Sequence, residues 1–109
     1  MVLTFLRLVT AGLILATATG AVAGENVKRP KAVVELFTSQ GCSFCPPADA
    51  LLADLAQSGD VVALAYHVDY WDYLGWRDTL ASPDNTARQQ EYNRAFGNRS
   101  VYTPQAIVN

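Results

Sequence analysis

Cysteine and histidine are scarce here: the 109-residue chain has two of the first and one of the second. With no third cysteine, one intramolecular disulfide is the most it can form, which excludes a multiply stapled secreted scaffold. A basic surplus is also missing. Eight Lys and Arg stand against ten Asp and Glu, a formal net charge of −2, so there is no electrostatic footprint for nucleic acid or an anionic membrane. Nucleic acid is not an expected partner. Long apolar runs are missing as well. The run over residues 8–16 is broken by Thr10 and Gly12 and followed by Thr17, Thr19 and Gly20, short of the roughly 20 apolar residues a membrane span requires. No internal repeat or low-complexity tract occurs, and nothing calls for a cofactor.

What the N-terminus does contain is Arg7, the short apolar run, and then Ala21-Val22-Ala23, a small-x-small cleavage signature before Gly24. Residues 1–23 therefore read as a secretory signal peptide, with no stable membrane insertion after cleavage. The expected location is periplasmic or secreted, where two cysteines three apart tend to pair. Without Arg7, seven basic residues face ten acidic ones, a net charge near −3. Residues 24–31 form a polar lead-in or linker, and 32–109 are enough for one small core.

That remaining stretch alternates β and α signals. Residues 32–37 (AVVELF) are a short apolar run with β-branched members, consistent with a buried strand. A helix is expected over 47–58, where Ala48, Leu51, Leu52, Leu55 and Ala56 form one stripe and Gly59 supplies a stop. Residues 61–68 (VVALAYHV) are almost unbroken apolar, as in a parallel strand covered on both faces. Strand, helix and strand then make a βαβ unit whose strands end on one edge, and Cys42 and His67 belong to that edge. An aromatic loop follows at 69–78 (DYWDYLGWRD), with Asp72 and Asp78 expected to be solvated or paired with Arg77. A second helix is expected to open at Ser82-Pro83-Asp84 and close at Gly97. Its apolar stripe is Ala87, Tyr92, Ala95 and Phe96, with Arg88 and Arg94 on the solvated side. A last strand covers 106–108.

The chemistry concentrates at Cys42-Ser43-Phe44-Cys45, between the first strand and the first helix. Two thiols at i, i+3 are close enough to form a disulfide, and a helix N-terminus with its unpaired N–H groups favours a thiolate at the first cysteine. Pro46 and Pro47 carry no N–H and disfavour αR before them, so the regular helix is expected to start a few residues after Cys42.

The apolar strand, CxxC, second strand ending in an aspartate, helix, and Val101-x-Thr103-Pro104 before another strand together resemble the thioredoxin fold. More narrowly, ELFTSQG-Cys42-x-x-Cys45-PPAD, HVDYWD and SVYTP resemble a family of secreted thioredoxin-like proteins known as domain of unknown function 1223, across residues 33–109. The resemblance implies a fold and a dithiol site, but no substrate. It also implies that Pro104 is cis and lies opposite the dithiol, where the backbone of Thr103 would pair with an extended substrate segment. Thioredoxin itself carries tryptophan where Gly41 stands, so docking at that corner must differ. A thioredoxin-like sheet also has a hairpin partner for the strand near 105–108 and a further helix. The expectation is therefore of a domain incomplete at its C-terminus, prone to self-association when isolated.

In this frame Cys42 is the exposed nucleophile and Cys45 the shielded resolving thiol, exchanging disulfides with protein partners. A structural role for the bond is weaker, because so short a loop removes only about 2 kcal/mol of chain entropy. Glu35, the one charge inside the first strand, resembles the buried carboxylate that moves the resolving cysteine's proton in thioredoxins. The alternative is a glutamate paired with Arg or Lys. Two other classes of function remain. Cys42, Cys45 and His67, with Asp69 as a fourth ligand, would suit copper(I) or zinc in a metallochaperone, although a lone histidine at a strand end is more often a structural hydrogen-bonding group. Tyr70, Trp71, Tyr73 and Trp76 would serve a binding module as a recognition surface; alternatively, most of them cap the sheet.

Overall fold

The computed structural model describes residues 17–20 and 28–109; most of the expected signal peptide and residues 24–27 lie outside the described residues. Three strands form one sheet. β1 (Ala32–Thr38) occupies its centre, β2 (Val61–His67) pairs with it in parallel, and β3 (Gln105–Val108) pairs antiparallel on the other side. β1 is the hydrophobic centre the composition requires: Val34, Glu35, Leu36, Phe37 and Thr38 are all buried. α1 (Pro46–Ser58) links β1 to β2, and α2 (Pro83–Ala95) links β2 to β3. This mixed α/β arrangement is thioredoxin-like.

Strand alternation splits β1 between two faces. Thr38 donates its hydroxyl proton to Asp49 of α1 (2.6 Å), and Val34 and Leu36 line an apolar groove with Leu51, Leu55 and Val108. Glu35 and Phe37 point the opposite way, toward α2, where Tyr92 packs edge-on against Phe37 at 6.0 Å between ring centroids. The α1 stripe is only partly covered: Leu52 and Leu55 are half-buried, whereas Leu51 is 60% exposed.

β2 departs from its expected environment. It lies at the edge of the three strands, and Val62 and Leu64 are 40% and 39% exposed. α2 reaches the carboxyl end of the strand, where Arg88 lies over Tyr66 (5.1 Å to the ring centroid), and leaves the earlier residues open among the described elements. An unbroken apolar run therefore reported strand formation, not burial on both faces.

The α2 start follows its sequence signals. Ser82 is extended and its hydroxyl accepts the Asn85 N–H, Pro83 occupies the first turn, and Gly97 adopts φ 71° past the C-terminus. Its buried face does not follow them. Gln89 and Asn93, an i, i+4 amide pair, are the buried residues of the helix. Arg88, expected on the solvated side, folds back over Tyr66 and Tyr92. No helix among the described residues is long and apolar enough to cross a membrane.

Candidate functional site

The site is built on the loop from β1 to α1. Ser39 to Cys42 closes a turn, with the Cys42 N–H donating to the Ser39 carbonyl (3.2 Å) and the Gly41 N–H to the Ser39 hydroxyl (3.0 Å). Cys42 and Cys45 are joined by a disulfide with their Cα atoms 5.4 Å apart. Helix α1 begins only at Pro46, with Cys45 as its N-cap, so Cys42 precedes the helix by a full turn. The expected pre-proline exclusion from αR is not what sets this start: Cys45 itself is αR, and Pro46 and Pro47 occupy the first helical turn, where a missing N–H removes no helical bond. Cys45 is fully enclosed. Cys42 is not the exposed residue that was expected: it retains 4% exposure, while Phe44 between the two cysteines is 79% exposed.

The 69–78 loop packs against the dithiol turn at Gln40 and Gly41. A Cβ on Gly41 would lie 3.1 Å from Trp71 Cβ and 3.2 Å from its carbonyl oxygen, so Trp71 packs tightly on Gly41 and a side chain there would require it to give by a few tenths of an ångström. Trp71 Nε1 donates to Thr103 Oγ1 (2.7 Å), binding this loop to the Thr103–Pro104 segment, whose peptide bond is cis. Trp76 Nε1 donates to Gln40 Oε1 (2.8 Å) on the other side of the turn. Tyr70 donates to Gln89 Oε1 (2.9 Å). Gln89, fully buried, also donates to the Tyr102 carbonyl (2.7 Å) and to Gln105 Oε1 (2.9 Å). Of the residues named from the sequence as substrate contacts, Trp71 and Thr103 bond each other and Tyr70 bonds Gln89 of α2, so their polar tips are engaged within the fold. Tyr73 and Trp76 remain 76% and 64% exposed.

Asp78 is the residue that sequence reasoning missed. Expected in solvent or on Arg77, it is 2% exposed, and its carboxylate accepts the Gln40 N–H (2.9 Å), the Leu80 N–H (2.9 Å) and a bond from His67 Nδ1 (2.6 Å). Burial pushes its pKa up, but the Gln40 N–H, the His67 ring and the Leu80 N–H outweigh that and hold it below the usual aspartate range. Asp72 likewise is not free, since its carboxylate accepts the Asp78 N–H (3.1 Å). The DxxDxxxxxD spacing around the aromatics carried the only signal, and it did not distinguish Asp78 from Asp72.

Glu35 is buried and its carboxylate is engaged by Arg88 and Tyr92. It lies on the α2 face, whereas the helix that follows Cys45 covers the other face of β1. Arg88 donates to it through Nε (2.8 Å) and Nη2 (2.5 Å), and the Tyr92 hydroxyl donates as well. Burial raises its pKa, yet the bonds from Tyr92 and Arg88 and the Arg88 charge leave it below the usual glutamate range. The pairing alternative describes it. The carboxylate nearest in chain to the dithiol on the α1 face is Asp49, bonded to Thr38.

The metal alternative finds no support in this geometry. Among the described residues no three or more His, Cys, Asp or Glu side chains converge as a cation site, and His67 is not gathered with the sulfurs. Its Nδ1 is engaged by Asp78, and Asp69 accepts the Thr86 hydroxyl (2.6 Å).

A family model described as protein of unknown function (DUF1223) matches residues 33–109. The chain is also similar to a crystal structure of an Agrobacterium tumefaciens protein from a structural genomics programme, at 64% identity and a TM-score of 0.71. That match covers 74% of this chain and 36% of the other, so the chain spans about a third of that protein's length. No curated protein matches the chain.

Proposed function

Because the chain belongs to the DUF1223 family, whose matched region includes the whole dithiol turn, we propose that it is a thiol-disulfide exchange protein acting on protein partners in the periplasm or outside the cell. The observation that carries this reading is the placement of the Cys42–Cys45 bond. It closes a turn of four residues at the carboxyl edge of the sheet and ties no distant segments together. A bond there contributes only about 2 kcal/mol through chain entropy, while the edge is where open α/β sheets place their chemistry.

The exchange proceeds in two displacements. A partner thiolate attacks Cys42, the one cysteine of the pair with any exposure, and the Cys42–Cys45 bond breaks. Cys45 leaves with the electron pair and takes up a proton. A second partner thiolate then attacks the partner sulfur of the mixed disulfide and releases Cys42. The partner dithiol is oxidised to a disulfide and the protein disulfide is reduced to a dithiol; the reverse sequence reduces a partner. Exposed Phe44, Tyr73 and Trp76 beside the turn offer apolar surface for the partner segment.

Replacing the resolving thiol tests the order of events. Cys45→Ser is expected to accumulate a mixed disulfide on Cys42, formed by attack of the Cys42 thiolate on a disulfide-bonded peptide or cellular protein disulfides with release of the partner's other thiol, detected by mass spectrometry, while Cys42→Ser traps none. Equal trapping by the two variants, or none by either, contradicts the assignment.

A further inference from the structure

The exposed aromatic side chains are not spread evenly over the molecule. Among the described residues, Phe44, Tyr73, Trp76, Phe96 and Tyr102 are the aromatics more than half exposed, and all but Phe96 stand on segments joined around the dithiol turn. Phe44 lies in the turn itself, between the two cysteines. Tyr73 and Trp76 come from the 69–78 loop, whose Trp76 Nε1 donates to Gln40 Oε1 (2.8 Å) and whose Trp71 packs on Gly41. Tyr102 precedes Thr103, which accepts the Trp71 indole N–H (2.7 Å) beside the cis peptide bond. We propose that Phe44, Tyr73, Trp76 and Tyr102 form the docking surface of the dithiol site, and that its substrate is an extended, non-native polypeptide segment with large apolar side chains beside its cysteine. This rests on the reading of Cys42 and Cys45 as an exchange site and names the substrate class.

Grouped apolar side chains on a soluble surface mark a place where something binds, and Tyr and Trp give a large contact area for little side-chain entropy. Part of this surface is already held in place. The Trp76 indole is bonded to Gln40, and the loop that carries it is fastened to Thr103 through Trp71, so binding has less left to order. Charge narrows the ligand. Residues 39–48 and 101–105 contain no Asp, Glu, Lys, Arg or His. In the 69–78 loop, Asp69 accepts the Thr86 hydroxyl, Asp72 the Asp78 N–H, and Asp78 the Gln40 and Leu80 N–H groups, which leaves Arg77 as the exposed charge. Such a surface offers little to glutathione, whose two carboxylates and ammonium group bring no apolar side chain. Access narrows it further. Cys42 is only 4% exposed, and an extended chain reaches a recessed sulfur more readily than a cysteine on the face of a folded protein.

The test reads binding without thiol chemistry, so its outcome is separate from the Cys45→Ser trapping that tests exchange. A short fluorescent peptide with Phe and Leu flanking a Ser in place of cysteine is titrated with the oxidised full chain and followed by anisotropy. A second peptide carries Gln and Asn where the first has Phe and Leu. The apolar peptide is expected to bind roughly tenfold more tightly than the polar one, and Phe44→Ala and Tyr73→Ser, both at exposed positions, are each expected to weaken it by roughly three- to tenfold. Val62→Thr, at an exposed apolar position on β2, is expected to bind as the wild type does. An excess of S-methylglutathione is expected to leave the bound peptide in place. The proposal is overturned by absent binding of the apolar peptide, by equal affinity for the two peptides, or by unchanged binding in both aromatic variants. A loss in Val62→Thr as large as in those variants would reduce the effect to general adhesion, and displacement by S-methylglutathione would make glutathione the ligand; either also overturns it.

Discussion

Glu35 and Asp78 are both buried carboxylates, yet the strand pattern marks one of them and nothing local marks the other. Each is desolvated and each is more than compensated, Glu35 by Tyr92 and Arg88, Asp78 by Gln40, His67 and Leu80. Both therefore lose their protons more readily folded than unfolded. The unfolded chain takes up protons first as pH falls, so the stabilisation is complete above the ordinary carboxylate range, about pH 4, and is lost on descending through the folded values. Urea unfolding of the wild type and Glu35→Gln is expected to show a gap in midpoint that is largest near neutral pH and narrows below about pH 4. A gap independent of pH would assign Glu35 a role in packing instead of charge.

At the scale of elements, α2 and the cis-proline segment are joined by one amide. Gln89 receives the Tyr70 hydroxyl and donates to the Tyr102 carbonyl and to Gln105. Gln89→Leu keeps comparable bulk but strands these partners in a buried setting, for an expected loss of about 2–4 kcal/mol by chemical denaturation. Exposed Gln90 on the same helix serves as the control, and its substitution is expected to stay within about 0.5 kcal/mol. Equal effects at the two positions would deny the network its role. Such an amide is not legible in the sequence, where Gln reads as solvated surface and the α2 stripe was sought among Ala87, Tyr92, Ala95 and Phe96. The βαβ order, the Ser82 cap and the CxxC between strand and helix were legible, because each is set by local chemistry: a short apolar run, a hydroxyl before Pro83, two thiols three apart. The long-range partners of Asp78, Arg88 and Gln89, here His67, Glu35 and Tyr70, lie 11 to 53 residues away along the chain, a distance over which periodicity carries no information.

Across the whole molecule, the 69–78 loop fastens the dithiol turn and ties it to the cis-proline segment. Trp71 packs on Gly41, Trp76 bonds Gln40, Asp78 bonds the Gln40 N–H, and Thr103 is fastened to Trp71. So many ties on a turn whose own disulfide spans only three residues fit a site held for chemistry better than a loop needing a staple. The measurement that bears most directly on this account is the reduction potential of the Cys42–Cys45 pair, obtained by equilibrating the folded protein in glutathione buffers. A reversible two-electron couple above roughly −250 mV, with Cys42 alkylated first, is the expected result for exchange in an oxidising compartment. A couple below about −300 mV, resistant to the glutathione pool, would make the bond structural and contradict the account.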